Sequence, residues 1–156
     1  DFHHRGGRLR TWHIVLAGAI ALHLAASSQA QADGAALFAQ HCAACHQANA
    51  SGTVGLAPAL LGPHWAKLGA DKTYLPTVLT KGLSGAIVVN DQRFLGAMPS
   101  FAAQLDNASM VAIANHLRQL QGSSEANFQE ADFQTAREQP GGPPQTRIKR
   151  GQLLGN

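Results

Sequence analysis

Five consecutive residues constrain this chain more than any others: Cys42-Ala43-Ala44-Cys45-His46. Two thiols at this C-x-x-C spacing can each add to a vinyl group of one porphyrin, and the histidine that follows sits under the iron, where imidazole is the usual proximal ligand. The same spacing occurs in dithiol redox sites and as half of a zinc site. Cys42 and Cys45 are the only two cysteines in the 156 residues, which excludes a four-cysteine zinc centre. A thioredoxin-like dithiol would want a βαβ pattern around it. The motif therefore favours one haem c, covalent through Cys42 and Cys45.

The length allows one domain, and its first part reads as an export signal. Arg5, Arg8 and Arg10 form a basic region, residues 14–26 an apolar run interrupted by His23, and Ala30-Gln31-Ala32 a cleavage site with small residues at −3 and −1. The apolar run is shorter than the roughly 20 residues of a membrane-spanning helix. The expected organisation is a signal peptide over 1–32, a mature start at Asp33, a domain over 33–121, and a polar tail over 122–156 containing Pro and Gly. Export fits covalent haem attachment, which occurs outside the bacterial cytoplasmic membrane, and gives a periplasmic localisation with no stable membrane span after cleavage. The formal charge of +3 falls to +1 once three arginines and one aspartate leave with residues 1–32. A nucleic-acid role, which wants a basic stripe, has little support.

Residues 33–46 read as a first helix running into the motif, with Leu37, Phe38 and Ala44 on its inner face. Residues 47–62 read as a loop rich in Gly, Ala, Ser and Pro, of the compact Ω type. A helix is expected over 71–81, capped by Asp71 and stopped by Gly82, with a later start if Pro76 is to lie in its first turn. Residues 87–94 resemble a hairpin about Asn90-Asp91. The last helix runs over 107–121, with Asp106 or Asn107 as cap, Gly122 as stop, and Val111, Ile113, Ala114, Leu117 and Leu120 inside. Residues 123–156 read as a partly extended tail, with a turn or two of helix over 130–138.

Two methionines compete for the iron's other face. Met98 stands in Gly96-Ala97-Met98-Pro99, where a proline-bounded loop presents a thioether rigidly, and it is the expected axial ligand. Met110 lies at helical spacing and reads as core filling.

In order, Gly34…Phe38…Cys42-Ala-Ala-Cys45-His46, Gly55-Leu-Ala-Pro58, Gly96-Ala-Met98-Pro99 and a C-terminal helix resemble a class I c-type cytochrome, over roughly 33–121. The segment from Gly82 to Pro99 is further similar to small bacterial cytochromes c associated with periplasmic dehydrogenases or respiratory oxidases. The resemblance implies an all-α fold: three to four helices around one covalent haem, a small hairpin on the Met side and a C-terminal tail. It implies that His46 and Met98 ligate the iron and that the Pro58 carbonyl accepts a hydrogen bond from the proximal imidazole. It also implies that Gly34 and Phe38 lie where the first and last helices cross. Two positions depart from the family pattern: His116 stands where an aromatic, most often Tyr, is common, and Asp91 where the hairpin usually has Gly.

A His/Met-ligated iron has both axial positions filled, so the expected function is one-electron transfer rather than enzymic catalysis. The protein would act as a soluble carrier or as the cytochrome subunit of a dehydrogenase, passing electrons toward a terminal oxidase. The expected partners are a dehydrogenase large subunit or a terminal oxidase, and the tail is a candidate for docking on such a subunit. The alternative is a haem enzyme or gas sensor with a displaceable Met98. Trp65 or Tyr74 could donate to a haem propionate and Arg93 could pair with one, against plainer readings as a core aromatic and a solvated hairpin charge. His41 reads as exposed on the first helix, and His64 as a loop residue without a role.

Overall fold

The computed structural model describes residues 33–156, so the expected signal and its cleavage site lie outside the described residues. Helix α1 spans 33–41, and α2 (Ala43–His46) follows after the single turn residue Cys42. The Cys42 N–H still donates to Phe38 O and the His46 N–H to Cys42 O, both at 2.9 Å, so the motif continues the helical path of α1. Gly34, Phe38, Cys42 and His46 are the buried positions. Their spacing of four makes one stripe, and this stripe brings the first thiol and the imidazole inward together. Leu37 is half-buried, but Ala44, expected inside, is exposed because it lies off that stripe. Gln47, at φ 64°, ends the helix.

Helix α3 (Trp65–Ala70) was not anticipated, and α4 spans Tyr74–Lys81. Asp71 precedes α4 instead of lying within it: its Oδ1 accepts from the Thr73 N–H at 2.8 Å and from the Thr73 hydroxyl. Pro76 is then the third helical residue, where its missing N–H would have had no intrahelical partner. Gly82 closes α4 at φ 77°, its N–H donating to Val78 O at 2.8 Å.

Two small antiparallel pairs follow. Strand β1 (Leu83–Ser84) pairs with β4 (Ala97–Met98), and β2 (Ile87–Val89) with β3 (Gln92–Phe94). Asn90 and Asp91 both have positive φ, 49° and 62°, as a type I′ hairpin turn requires. Asp is among the few non-glycine residues that visit this region readily, so Asp91 keeps the turn.

Helix α5 (Asn107–Leu120) is capped by Asp106, whose carboxylate accepts from the Ser109 N–H at 2.8 Å, and the chain turns at Gly122 with φ 62°. It crosses α1 where Gly34 faces Ala112 and His116; a Cβ on Gly34 would run into the Ala112 carbonyl oxygen. The Phe38 and His116 rings lie 5.5 Å apart, so the imidazole fills the place expected of an aromatic. Met110, Ile113, Ala114 and Leu117 are buried with Phe38 in the main core, as their periodicity predicts.

The partly extended tail is corrected. Residues Glu130–Glu138 form α6 and Pro143–Leu154 form α7, giving seven helices among the described residues where three to four were expected. Helix α6 falls where a turn or two was expected, while α7 was not anticipated; both pack on the domain's own elements, α6 against α4 and α5, and α7 against α3, α4 and β1. Phe128 and Phe133 are 2% and 0% exposed, with ring centroids 5.9 Å apart. The Arg118 guanidinium lies over the Phe128 ring at 3.8 Å, a cation–π contact. Asn115 clasps the Phe128 backbone with both ends of its amide. Pro143 and Pro144, which look like linker residues, occupy the first turn of α7, where a missing N–H is harmless. Among the described residues no helix is long and apolar enough to cross a membrane.

Two outcomes follow from this packing. Phe133→Ala should cost about 3–5 kcal/mol, the usual range for truncating a fully buried Phe, measured by denaturant unfolding of the haem-loaded protein. A change within experimental error would mean that α6 is not part of the cooperative core. The second outcome concerns Asp71. Burial pushes its carboxyl pKa up, but the Thr73 hydrogen bonds and the Lys149 ammonium, 3.8 Å away, outweigh burial and leave it below the ordinary value. A depressed folded-state pKa gives stability that is present above the unfolded value and lost as pH falls through the folded one. The stability gap between wild type and Asp71→Asn should therefore close below about pH 4, read from unfolding curves across that range.

Candidate functional site

The motif, the following loop, α3, α4 and β4 enclose an apolar cavity of about 460 Å³. Cys42, Cys45 and His46 line it together, and Met98 reaches it from β4. Met110, 0% exposed within the main core, does not line it.

The loop after the motif is shaped to set one carbonyl. Gly52 N–H donates to His46 O, Leu60 N–H to Ala50 O, and the Thr53 hydroxyl to Cys45 O, which folds residues 47–62 back on the motif. At Gly52, φ is 78° and a Cβ would stand 2.6 Å from the Pro58 carbonyl carbon, so only glycine lets these two strands of loop approach. The result is a 2.9 Å hydrogen bond between His46 Nδ1 and Pro58 O. A carbonyl only accepts, so Nδ1 carries the proton and Nε2 keeps its lone pair. Burial lowers the His46 pKa, with the Pro58 bond acting the other way; the net shift favours the neutral imidazole that a metal ligand must be.

Met98 is held with comparable care. It pairs with Leu83 across β1 and β4, and a Cβ on Gly82 would stand 2.6 Å from Met98 O. Beyond it, Ser100 donates to Thr80 O at 2.7 Å and the Phe101 N–H to Leu79 O at 2.9 Å, tying the segment to the end of α4. Helix α6 adds a clamp from outside: the Arg137 guanidinium donates to Ala102 O, Leu105 O and Asn107 Oδ1.

The donor set fits a haem c. Cys42 is buried and Cys45 exposed, both as free cysteines, and burial pushes the Cys42 thiol up to about 11 with the neighbouring Cys45 adding to the shift. Two thiols, a neutral imidazole and a thioether face one apolar space. Two further cavity-lining groups, Trp65 Nε1 and Arg150 Nη1, are buried with no hydrogen-bond partner. Buried donors are nearly always satisfied, and a group carrying carboxylates would satisfy them. No three His, Cys, Asp or Glu side chains gather as a metal site among the described residues.

Of the minor expectations, Arg93 keeps its plainer reading and His41 changes. Trp65 and Tyr74 line the cavity with ring centroids 5.9 Å apart, and burial raises the Tyr74 hydroxyl to about 12 against the opposing charge of Arg150. Arg93 is exposed on the hairpin and does not line the cavity, because the strand alternation turns it outward while Phe94 goes in. His41, expected to be exposed, is half-buried against the cavity with its ring edge toward Phe101. His64 also lines it; burial lowers its pKa, and the Arg150 charge lowers it further. Arg150 was missed altogether. Its signal was the spacing of Thr146, Arg150, Leu153 and Leu154, an inward face whose buried members are polar.

A family model described as Cytochrome c matches residues 31–121. The chain is 40% identical over 91 residues to cytochrome c-552 of Thermus thermophilus. That match covers 56% of this chain and 60% of the relative's length. Helices α6 and α7 lie beyond the part that the family model covers.

The Arg137 clamp yields a local prediction. Arg137→Met keeps the aliphatic bulk but removes the charge-assisted bonds, and should cost about 1.5–3 kcal/mol. Amide exchange should accelerate first over residues 101–106, which those bonds hold. Uniform acceleration across the chain would show that the clamp has no local role.

Proposed function

The chain belongs to the cytochrome c family, and from that premise we propose that it carries single electrons on one haem c whose iron is ligated by His46 and Met98. When bound, the haem supplies an iron that cycles between ferrous and ferric states. The protein's own residues do the rest. Cys42 and Cys45 anchor the porphyrin as thioethers. Pro58 fixes the imidazole ring and raises its basicity through the 2.9 Å bond to Nδ1. Met98, a soft thioether, favours the ferrous state and raises the potential. Leu68, Leu75 and Val78 exclude water from the interior of the cavity.

The observation that carries this reading is the shared cavity. An imidazole with its Nδ1 already committed and a thioether on a pinned strand face the same space, so His46 and Met98 would be the residues to hold the iron of a haem bound there. A filled coordination sphere leaves no site for substrate and suits outer-sphere electron transfer. The cavity opens where Cys45, Leu56 and Ala97 are exposed, and Leu56 is 55% exposed. That apolar rim is the place for a redox partner to dock, and weak redox encounters need little buried area. The exported, periplasmic setting read from residues 1–32 is part of the same proposal. So is a dehydrogenase or terminal oxidase as partner, with the chain either free or as a subunit.

The ferric optical spectrum of the purified protein tests the ligand pair. The weak far-red band of thioether–iron coordination should be present, should vanish in Met98→Ala, and should persist in Met110→Ala. The latter should lose about 2–5 kcal/mol of stability as a core truncation. A wild-type spectrum with high-spin features and no such band would favour an open haem that binds a gas or peroxide, and would overturn the carrier reading.

A further inference from the structure

Among the described residues, Arg150 is the only Asp, Glu, Lys or Arg side chain lining the cavity, and it arrives from α7, outside the part of the chain that the family model covers. It is 5% exposed, and its Nη1 is buried without a hydrogen-bond partner. Neither salt bridge among the described residues includes it; these join Lys72 to Asp132 and Lys149 to Asp71. A guanidinium cannot discharge itself by losing a proton, so a buried one requires an anion or a set of acceptors. The neighbouring side chains on the cavity wall, His64, Trp65 and Tyr74, include no carboxylate. A haem brings two propionate carboxylates, and a guanidinium meets a carboxylate in paired, charge-assisted bonds.

Helix α7 is built to hold this side chain in place. Thr146, one turn before Arg150, is 1% exposed and donates to Gly142 O. Leu153 and Leu154, one turn after it, pack on the cluster of Leu68, Tyr74 and Val78. Lys149 reaches Asp71 at the foot of α4.

We propose that Arg150 is a haem-propionate anchor, carried into the cavity by α7, and that it raises the reduction potential of the iron. This rests on the reading of the cavity as a haem c site. The sign follows from charge. A ferric haem carries one positive charge more than a ferrous one, a propionate anion favours the ferric form, and a guanidinium on that propionate offsets the preference. Low local dielectric makes the offset larger than it would be at the surface. The extension over residues 122–156 therefore tunes the centre as well as bracing the domain. Arg150 is a positioning residue with an electrostatic output.

The test compares holoproteins carrying Arg150→Lys and Arg150→Gln with wild type. In each, the thioether-type absorption spectrum and far-red band report haem attachment and axial ligation independently of Arg150. The reduction potential should fall in Arg150→Gln and fall less in Arg150→Lys, which keeps the charge but loses the fork. The resonance Raman propionate bending mode should shift in both. If Arg150→Gln does not retain haem, the Raman shift and smaller potential change of Arg150→Lys decide alone. Thermal destabilisation with unchanged potential and unchanged Raman frequency would overturn the proposal, leaving α7 a purely structural brace. Arg150 also borders a second cavity of about 220 Å³ that Arg147 shares. A wild-type potential that moves with inorganic phosphate at fixed ionic strength, and stops moving in Arg150→Gln, would assign the guanidinium to a free anion and would equally overturn it.

Discussion

One hydrogen bond orders much of this molecule: His46 Nδ1 to the Pro58 carbonyl, 2.9 Å. It determines the tautomer of the imidazole and so decides which nitrogen faces the cavity. To make it, the chain must double back within twelve residues, which is why the loop is stitched to the motif by backbone bonds and why Gly52 must be glycine. The stripe Gly34, Phe38, Cys42 and His46 then sets how α1 meets α5, because the helical path that carries His46 also supplies the first wall of the core. The placement of His46 and the packing of the core are consequently one problem in this fold.

The thioether side is solved differently. Met98 has no helix of its own, so its two-residue strand is fixed by neighbours: β1 on one side, the end of α4 behind it, and α6 beyond through Arg137. Short strands contribute little on their own. Several independent ties from different elements provide the rigidity that a longer strand would otherwise give. This makes α6 part of the support for the Met98 segment, although none of its residues lines the cavity.

What the sequence made legible follows the range of the interaction involved. The Cys-x-x-Cys-His spacing, the cap at Asp106, the Asn90-Asp91 turn and the apolar period of α5 are all local, and the structure agrees with each. Ala44 was misplaced by a shift of facing, a matter of a single residue in the helix, while Arg93 is the solvated hairpin charge of its plainer reading. The larger omission was α7, together with the packing of α6, whose helix over 130–138 was expected but not its burial against the domain. Their inward faces are sparse and partly polar: Phe133 and Ala136 on α6, Thr146 and Arg150 on α7. A hydrophobic-period reading passes over such faces. The Pro143-Pro144 pair, a helix start by position, looks like a break by composition. Buried polar residues acquire their meaning from the partner they face, and that partner is distant in the chain or is not protein at all.

The cavity itself explains why a domain of this size carries two extra helices. About 460 Å³ of apolar space lies where a chain without a prosthetic group would place side chains against one another. Its lining, Leu68, Tyr74, Leu75 and Val78 among it, packs on protein on one side and would gain further contacts from a bound group on the other, so binding would add to folding stability. Residues that pack away from the cavity are the part of the core that does not depend on that group. Phe128 and Phe133 supply such packing, with α6 against α4 and α5, while α7 covers α3 and α4 from another side. Once α7 lies along that surface, its inward face already borders the cavity. The one charged side chain on that face among the described residues that lines the cavity is Arg150.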